Sequence, residues 1–226
     1  MPDFMNGHAA STVALDLMHK ITAPADWFTA IVYKPLWVFQ ALTHMVPFII
    51  NCRKSVCTPR VIGFFKDLRS SPAPYDTKGK PLKIGAAGFC WGGYYTFQLA
   101  QDRPSSRVAA AAGSSSGGAL VPLIDAGFTA HPSMLTIPTD AEPVTVPLSV
   151  SVGHNDFALK EANILKMKEI LEGKNKKGDD VQHEVVILKD AKHGFSVRTE
   201  KEPYQIECAE KAEAQAISWF GRWFGQ

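Results

Sequence analysis

One short stretch, Leu82 to Tyr95, limits the folds open to this chain more than any other. Ile84 to Ala87 is brief and free of polar side chains, as expected for a strand covered on both faces, while Gly92 to Gln101 carries aromatic and aliphatic residues at near-helical spacing. Between them lies Gly88-Phe89-Cys90-Trp91-Gly92. Small residues at its first and last positions let strand and helix approach closely, so Cys90 is expected on a strained turn, pointing out from the top of a sheet. The following helix aims its free N–H groups and positive end at the sulfur. That favours thiolate and offers the Trp91 amide to an oxyanion. The alternative is a buried structural cysteine beside a chance pair of glycines; the strand-turn-helix context weighs against it.

At 226 residues the chain is long enough to bury a substantial core as one domain, 1–226, of mixed α/β type. The net charge of +2, with both signs scattered, gives no basic surface for nucleic acid. Four cysteines, Cys52, Cys57, Cys90 and Cys208, form neither a metal-type pair nor a disulfide framework, which suits a reducing compartment. No charged segment with an adjoining apolar core opens the chain, so a secretory leader is not expected.

The first 80 residues are the least ordinary. Residues 1–7 read as a loop and Ser11 to Lys20 as a short helix. From Trp27 to Asn51 the chain is densely apolar, interrupted by Lys34 and His44 and divided by Pro35 and Pro47. A bilayer span needs about 20 apolar residues in a row, and the longest part free of acidic or Lys/Arg residues is Pro35 to Asn51. The expectation is helical pieces capping the Cys90 mouth, with peripheral contact to a membrane or partner surface through 27–50. Thr58 to Leu68 reads as an amphipathic helix opened by Pro59, and Ser70 to Pro81 as a polar, Pro-rich connector.

After Cys90, strands are expected at Val108 to Ala112, Val146 to Val152 and His183 to Leu188. Helices are expected at Ala158 to Glu172 and Tyr204 to Trp223, the last burying Ile206, Ala209, Ala216, Ile217 and Phe220. Alternation of this kind implies a parallel sheet with flanking helices and right-handed crossovers, and chemistry gathers beyond the carboxyl ends of such strands. Asp156 and His193 each follow a strand by a tight turn. The order nucleophile, acid, histidine is that of α/β-hydrolases. Asp125, Asp140, Asp179 and Asp180 have no expected strand immediately before them, and His154, the competing histidine, precedes the acid.

These segments resemble the dienelactone hydrolase family. The resemblance rests on Gly88-Phe89-Cys90-Trp91-Gly92-Gly93, the turn containing Asp156, and His193-Gly194-Phe195-Ser196-Val197-Arg198. Phe128-Thr129-Ala130-His131-Pro132-Ser133, with Pro143 and Pro147, is similar to its fungal and other eukaryotic members. The resemblance covers Lys83 to the C-terminus and implies an α/β-hydrolase-like fold, a cytoplasmic location and no cofactor. It also implies hydrolysis of small-molecule esters or lactones by a triad of Cys90, Asp156 and His193. Trp91 would hold the oxyanion, while His131 and Arg198 face a polar or carboxylate end of the substrate. Pro2-Asp3-Phe4 resembles a family segment that normally follows several strands. The first strands, and the loop giving a second oxyanion N–H, are therefore expected to be missing. That would leave the strand before Cys90 with an open edge, favour a homodimer, and lower turnover about 10²–10³-fold. The alternative function is a weakly active or inactive homologue acting as an interaction or membrane-associated protein.

Overall fold

A computed structural model describes residues 2–78, 80, 82–109, 118–176, 182–197 and 202–225. The backbone divides into two compact units, Met1–Gly63 and Phe64–Gln226.

The first unit is helical. Asp3 accepts the amides of Met5 and Gly7 at 2.9 and 2.6 Å, closing the opening loop where Gly7 takes φ 78°. Helix α1 (Thr12–Thr22) follows. Asp26 then caps the next helical segment, accepting the Phe28 and Thr29 amides at 3.0 Å and the Thr29 hydroxyl at 2.7 Å. A π-helical turn, Thr29–Tyr33, leads into α2 (Lys34–Asn51), with Pro35 in its first turn, where a missing N–H is tolerated. The division expected at Pro47 is not made: α2 runs through it. Helix α3 (Lys54–Ser70) likewise starts before Pro59, which falls inside it rather than at its head. In each case one lost backbone bond is carried by intact neighbouring turns. At the corner between α2 and α3 the buried Cys52 and Cys57 thiols donate to the carbonyls of His8 and Phe4 at 3.4 and 3.5 Å.

The second unit is built on a parallel sheet. Strand β1 (Gly85–Phe89) turns directly into α4 (Trp91–Ala100), as the sequence predicts. A short antiparallel pair follows, β2 (Val108–Ala109) and β3 (Leu120–Val121). Then come β4 (Ala126–Ala130), β5 (Leu148–Asn155), α5 (Glu161–Glu172), β6 (His183–Lys192) and α6 (Pro203–Phe224). The main sheet has the order β1-β4-β5-β6, all parallel. Strand β1 pairs with β4; of the strand expected at Val108 to Ala112, the described part pairs with β3, while 110–112 lie outside the described residues. The glycine- and serine-rich sequence from Gly113 to Gly117 also lies outside the described residues. Among the described residues β1 forms one edge of the sheet.

Helices α4 and α6 cover opposite faces. A Cβ on Gly88 would collide with Thr96 and the Gly92 carbonyl of α4, and one on Gly85 would meet Phe220 and Phe224 of α6. Side chains three apart on a strand point oppositely. Helix α4 is buried from Gly93 to Ala100. Helix α6 packs Cys208, Ala212 and Trp219 against Phe128, Leu188 and Phe195, with Ala216, Phe220 and Trp223 partly buried beside them. Its core face is therefore rotated from the predicted one: Ile206 and Ile217 are exposed, the latter 67%.

One ion pair fixes the approach to β1. Asp125 accepts from Arg69 and from the Ile84 amide, both at 2.7 Å, and Arg69 also donates to the Leu82 carbonyl at 3.1 Å. Arg69 thus ties the end of α3 to the chain entering β1 and to the residue before β4. Arg69→Met is expected to lower stability by about 1.5–3 kcal/mol, the range for bonds to a charged group. Lys83→Met, removing an exposed amine 3.9 Å from Asp125, should change it little. Thermal unfolding of both variants measures this, and equal shifts would contradict the assigned role of Arg69.

Candidate active site

Strand register brings the chemistry together. Phe89 lies opposite Ala130, so the residues that follow, Cys90 and His131, emerge side by side. Asn155 pairs with Lys192, so Asp156 and His193 emerge together at the next strand pair. The result is a hydrogen-bonded row. His193 Nδ1 lies 2.8 and 3.0 Å from the two Asp156 carboxylate oxygens, and His193 Nε2 lies 3.1 Å from Cys90 Sγ. Asp156 is buried and also accepts the Ala158 amide at 2.8 Å. His154 is not part of the row: it is exposed and lies 3.8 Å from Glu161.

Cys90 takes φ 51°, ψ −115°, a left-handed backbone that β-carbon residues rarely adopt. Neighbouring bonds impose it. The Cys90 amide donates to Ala130 at 3.3 Å, and its carbonyl accepts from Gly93 and Ser133, both at 3.0 Å. Gly93 is obligatory here, because a Cβ would run into Thr129 and the backbone of Pro132.

Burial pushes the Cys90 thiol up, but the hydrogen bond and charge of His193, the Ser133 hydroxyl and the Trp91 amide outweigh it, leaving the thiol below its ordinary range. For His193, burial acts downward; bonds to Asp156 and Cys90 and their negative charge reverse this and raise it to about 9. Both shifts therefore favour the charged forms, thiolate and imidazolium, relative to the ordinary thiol and imidazole.

The structure places His131 differently from the expectation that it faces substrate. It is fully buried, its Nε2 lies 2.8 Å from Ser196 Oγ, and its ring packs edge-on against His193 and Phe195 at 5.1 and 5.4 Å. It braces the turn carrying His193 rather than the mouth. Phe157, 75% exposed and 4.8 Å ring-to-ring from His193, is an aromatic neighbour of the row that sequence reasoning missed. Its only signal was its place beside Asp156. Arg198, Asp179 and Asp180 lie outside the described residues. Among the described residues no three His, Cys, Asp or Glu side chains are grouped to hold a metal ion.

A parallel sheet with a cysteine on its strand-to-helix elbow, followed in chain order by an acid and a histidine at later strand ends, defines an α/β-hydrolase. The dienelactone hydrolase family model matches residues 66–224, and the chain belongs to that family. It is 25% identical over 142 residues to hydrolase pyvD of Aspergillus violaceofuscus, covering 62% of this chain and 48% of that protein. It is 24% identical over 143 residues to hydrolase tropI of Talaromyces stipitatus, covering 62% and 46%. The chain thus spans about half the length of the curated relatives it matches. Among solved structures, a dienelactone hydrolase from Anabaena variabilis is similar at 19% identity and TM-score 0.49, covering 82% of this chain and 68% of that one. Thermogutta terrifontis esterase 2 is similar at 15% identity and TM-score 0.48, covering 72% and 63%.

Of the four cysteines, Cys52, Cys57 and Cys208 are buried and Cys90 is only partly so. Iodoacetamide at neutral pH is therefore expected to label Cys90 first, with a rate that persists below the usual thiol range. Peptide mass analysis reads the site. Faster labelling of Cys52, Cys57 or Cys208 would remove the basis for a poised thiolate at Cys90.

Proposed function

We propose that this chain hydrolyses ester or lactone bonds of small molecules through a Cys90, His193, Asp156 triad and a covalent thioester. The observation that carries this reading is the row from Asp156 through His193 to Cys90, with contacts of 2.8 and 3.1 Å, on a left-handed elbow. The Cys90 thiolate attacks the carbonyl carbon and the negative charge moves to its oxygen, toward the Trp91 amide at the head of α4. The tetrahedral adduct collapses, its C–O bond breaks, and His193 Nε2 gives its proton to the leaving alkoxide. The now neutral imidazole takes a proton from water, whose oxygen attacks the thioester. The C–S bond breaks, releasing the acid and restoring thiolate and imidazolium. Asp156 holds the tautomer that presents Nε2 to sulfur and opposes the positive charge.

A second reading, a weakly active homologue whose main role is surface association, is favoured by the exposed apolar side chains of the first unit, Trp27 and Phe39 among them. The two separate in one assay. On the catalytic reading the chain turns over 4-nitrophenyl acetate with a burst, Cys90→Ala abolishes it, and Asp156→Asn lowers kcat by on the order of 10³–10⁴-fold. Turnover that survives Cys90→Ala would reject the triad.

The pH profile has a definite sign. Imidazolium is needed to protonate the leaving group, so kcat/KM should fall as pH rises through about 9, where His193 loses its proton. On the acid side it should fall as Cys90, lowered from its ordinary value, takes up a proton. A profile that keeps rising beyond pH 9 would indicate simple thiol ionisation without an acid partner.

A further inference from the structure

The first unit exposes side chains that a water-facing helix would hide. Trp27 is 75% exposed, Ile31 68% and Phe39 66%. Helix α2 packs on α1. It shields only a narrow stripe at three- and four-residue spacing, Lys34, Trp37, Ala41, Met45 and Phe48. Leu36, Phe39, Leu42, Val46, Ile49 and Ile50 are all exposed. At 3.6 residues per turn they lie within an arc of roughly 140° that also takes in Thr43, and the polar Gln40, His44 and Asn51 fall in a separate narrow sector. A contiguous apolar surface of this kind marks an interaction site.

Charge selects the occupant. No Asp or Glu occurs between Asp26 and Asp67, whereas Lys34, Arg53, Lys54, Arg60 and Lys66 do. A second copy of the chain would set these cations against one another. An anionic bilayer surface matches both the cations and the apolar arc. Trp27 and Tyr33, 75% and 44% exposed, supply aromatics suited to the headgroup boundary. Among the described residues no single helix is long and apolar enough to cross a membrane; only the pair Thr29–Asn51 and Lys54–Ser70, bent by 51°, meets the length and composition together. An in-plane helix needs no such length.

We propose that residues 27–51 form a monotopic anchor lying in the plane of a bilayer rich in anionic lipid. The apolar arc of α2 sits among the acyl chains, and Arg53, Lys54 and Arg60 at the headgroups. The test is flotation of the purified 226-residue chain with vesicles. Vesicles of phosphatidylcholine are compared with vesicles in which roughly a third of the lipid is phosphatidylserine. The expected result is at least about tenfold stronger binding to the serine-containing vesicles, weakened by salt. The triple variant F39E, L42E, I49E should lose binding about tenfold or more, with unchanged circular dichroism. In the unsubstituted chain, tryptophan quenching by brominated acyl chains should report the same insertion without any substitution. Flotation indifferent to the triple variant, or absent from both vesicle types, would overturn the proposal. So would a dimer by light scattering that the triple variant converts to monomer without any vesicle binding, since the arc would then be an interface between copies.

Discussion

The contact between β1 and α4 at Gly88 is the constraint on which the site depends. No side chain fits there, because Thr96 and the Gly92 carbonyl already occupy the space. With strand and helix this close, the joining residue must reverse the chain within one turn, which forces Cys90 to φ 51°. Strain of that kind persists only where the surroundings over-determine it. Three bonds from Ala130, Gly93 and Ser133 to the Cys90 backbone do so. The sulfur and the Trp91 amide are consequently oriented by the fold itself.

Much of this was legible in the sequence because the elbow is local. Its glycines, the strand before it and the helix after it lie within one short stretch, and Asp156 and His193 could be placed by the strands they end. What failed depended on distant partners. Strand β4 (Ala126–Ala130) is buried throughout and contains Gly127 and Thr129, so it carries neither alternation nor an apolar run. The alanine-rich stretch after Val108 looked more strand-like, yet only Val108 and Ala109 pair among the described residues. The face of α6 was misjudged for a related reason. Gln205 is buried on it, donating to the Asp190 carbonyl at 3.0 Å and accepting from the Lys192 amide at 3.4 Å. A polar residue on the core-facing stripe shifts the apparent phase of the helix.

The crossover from β4 to β5 was the least legible part, since its order comes from polar groups rather than a helix. Asp140 accepts from Gln98 at 3.1 Å and from the Thr136 amide at 2.7 Å, while Gln101 donates to its carbonyl at 3.1 Å. Lys174 reaches across to the carbonyls of Ala141, Glu142 and Val144 at 3.1, 2.7 and 2.7 Å. Burial lowers this amine from its usual range, and Glu142 partly restores it. Buried polar groups satisfied in this way specify one arrangement of a loop that hydrophobicity alone would leave loose. The crossover carries His131, Pro132 and Ser133 to the Cys90 turn, so a network at its far end supports a site it does not touch.

The charges of the row are mutually dependent. Burial opposes ionisation of both Cys90 and His193, and neither ion would be stable there alone. The imidazolium is sustained because negative groups face both of its nitrogens, Asp156 at Nδ1 and Cys90 at Nε2. The thiolate in turn depends chiefly on that imidazolium, with Ser133 and Trp91 adding smaller support. Asp156 therefore acts on the sulfur through His193, and removing its charge would raise the thiol as well as free the ring. His154 lacks this arrangement despite its nearness in sequence. Its solvent-exposed contact with Glu161 at 3.8 Å supplies one screened charge. What distinguishes His193 is its enclosure between two groups that are more stable charged when it is charged: the pairing of β5 with β6 brings Asp156 to it, and the pairing of β1 with β4 and β4 with β5 brings Cys90.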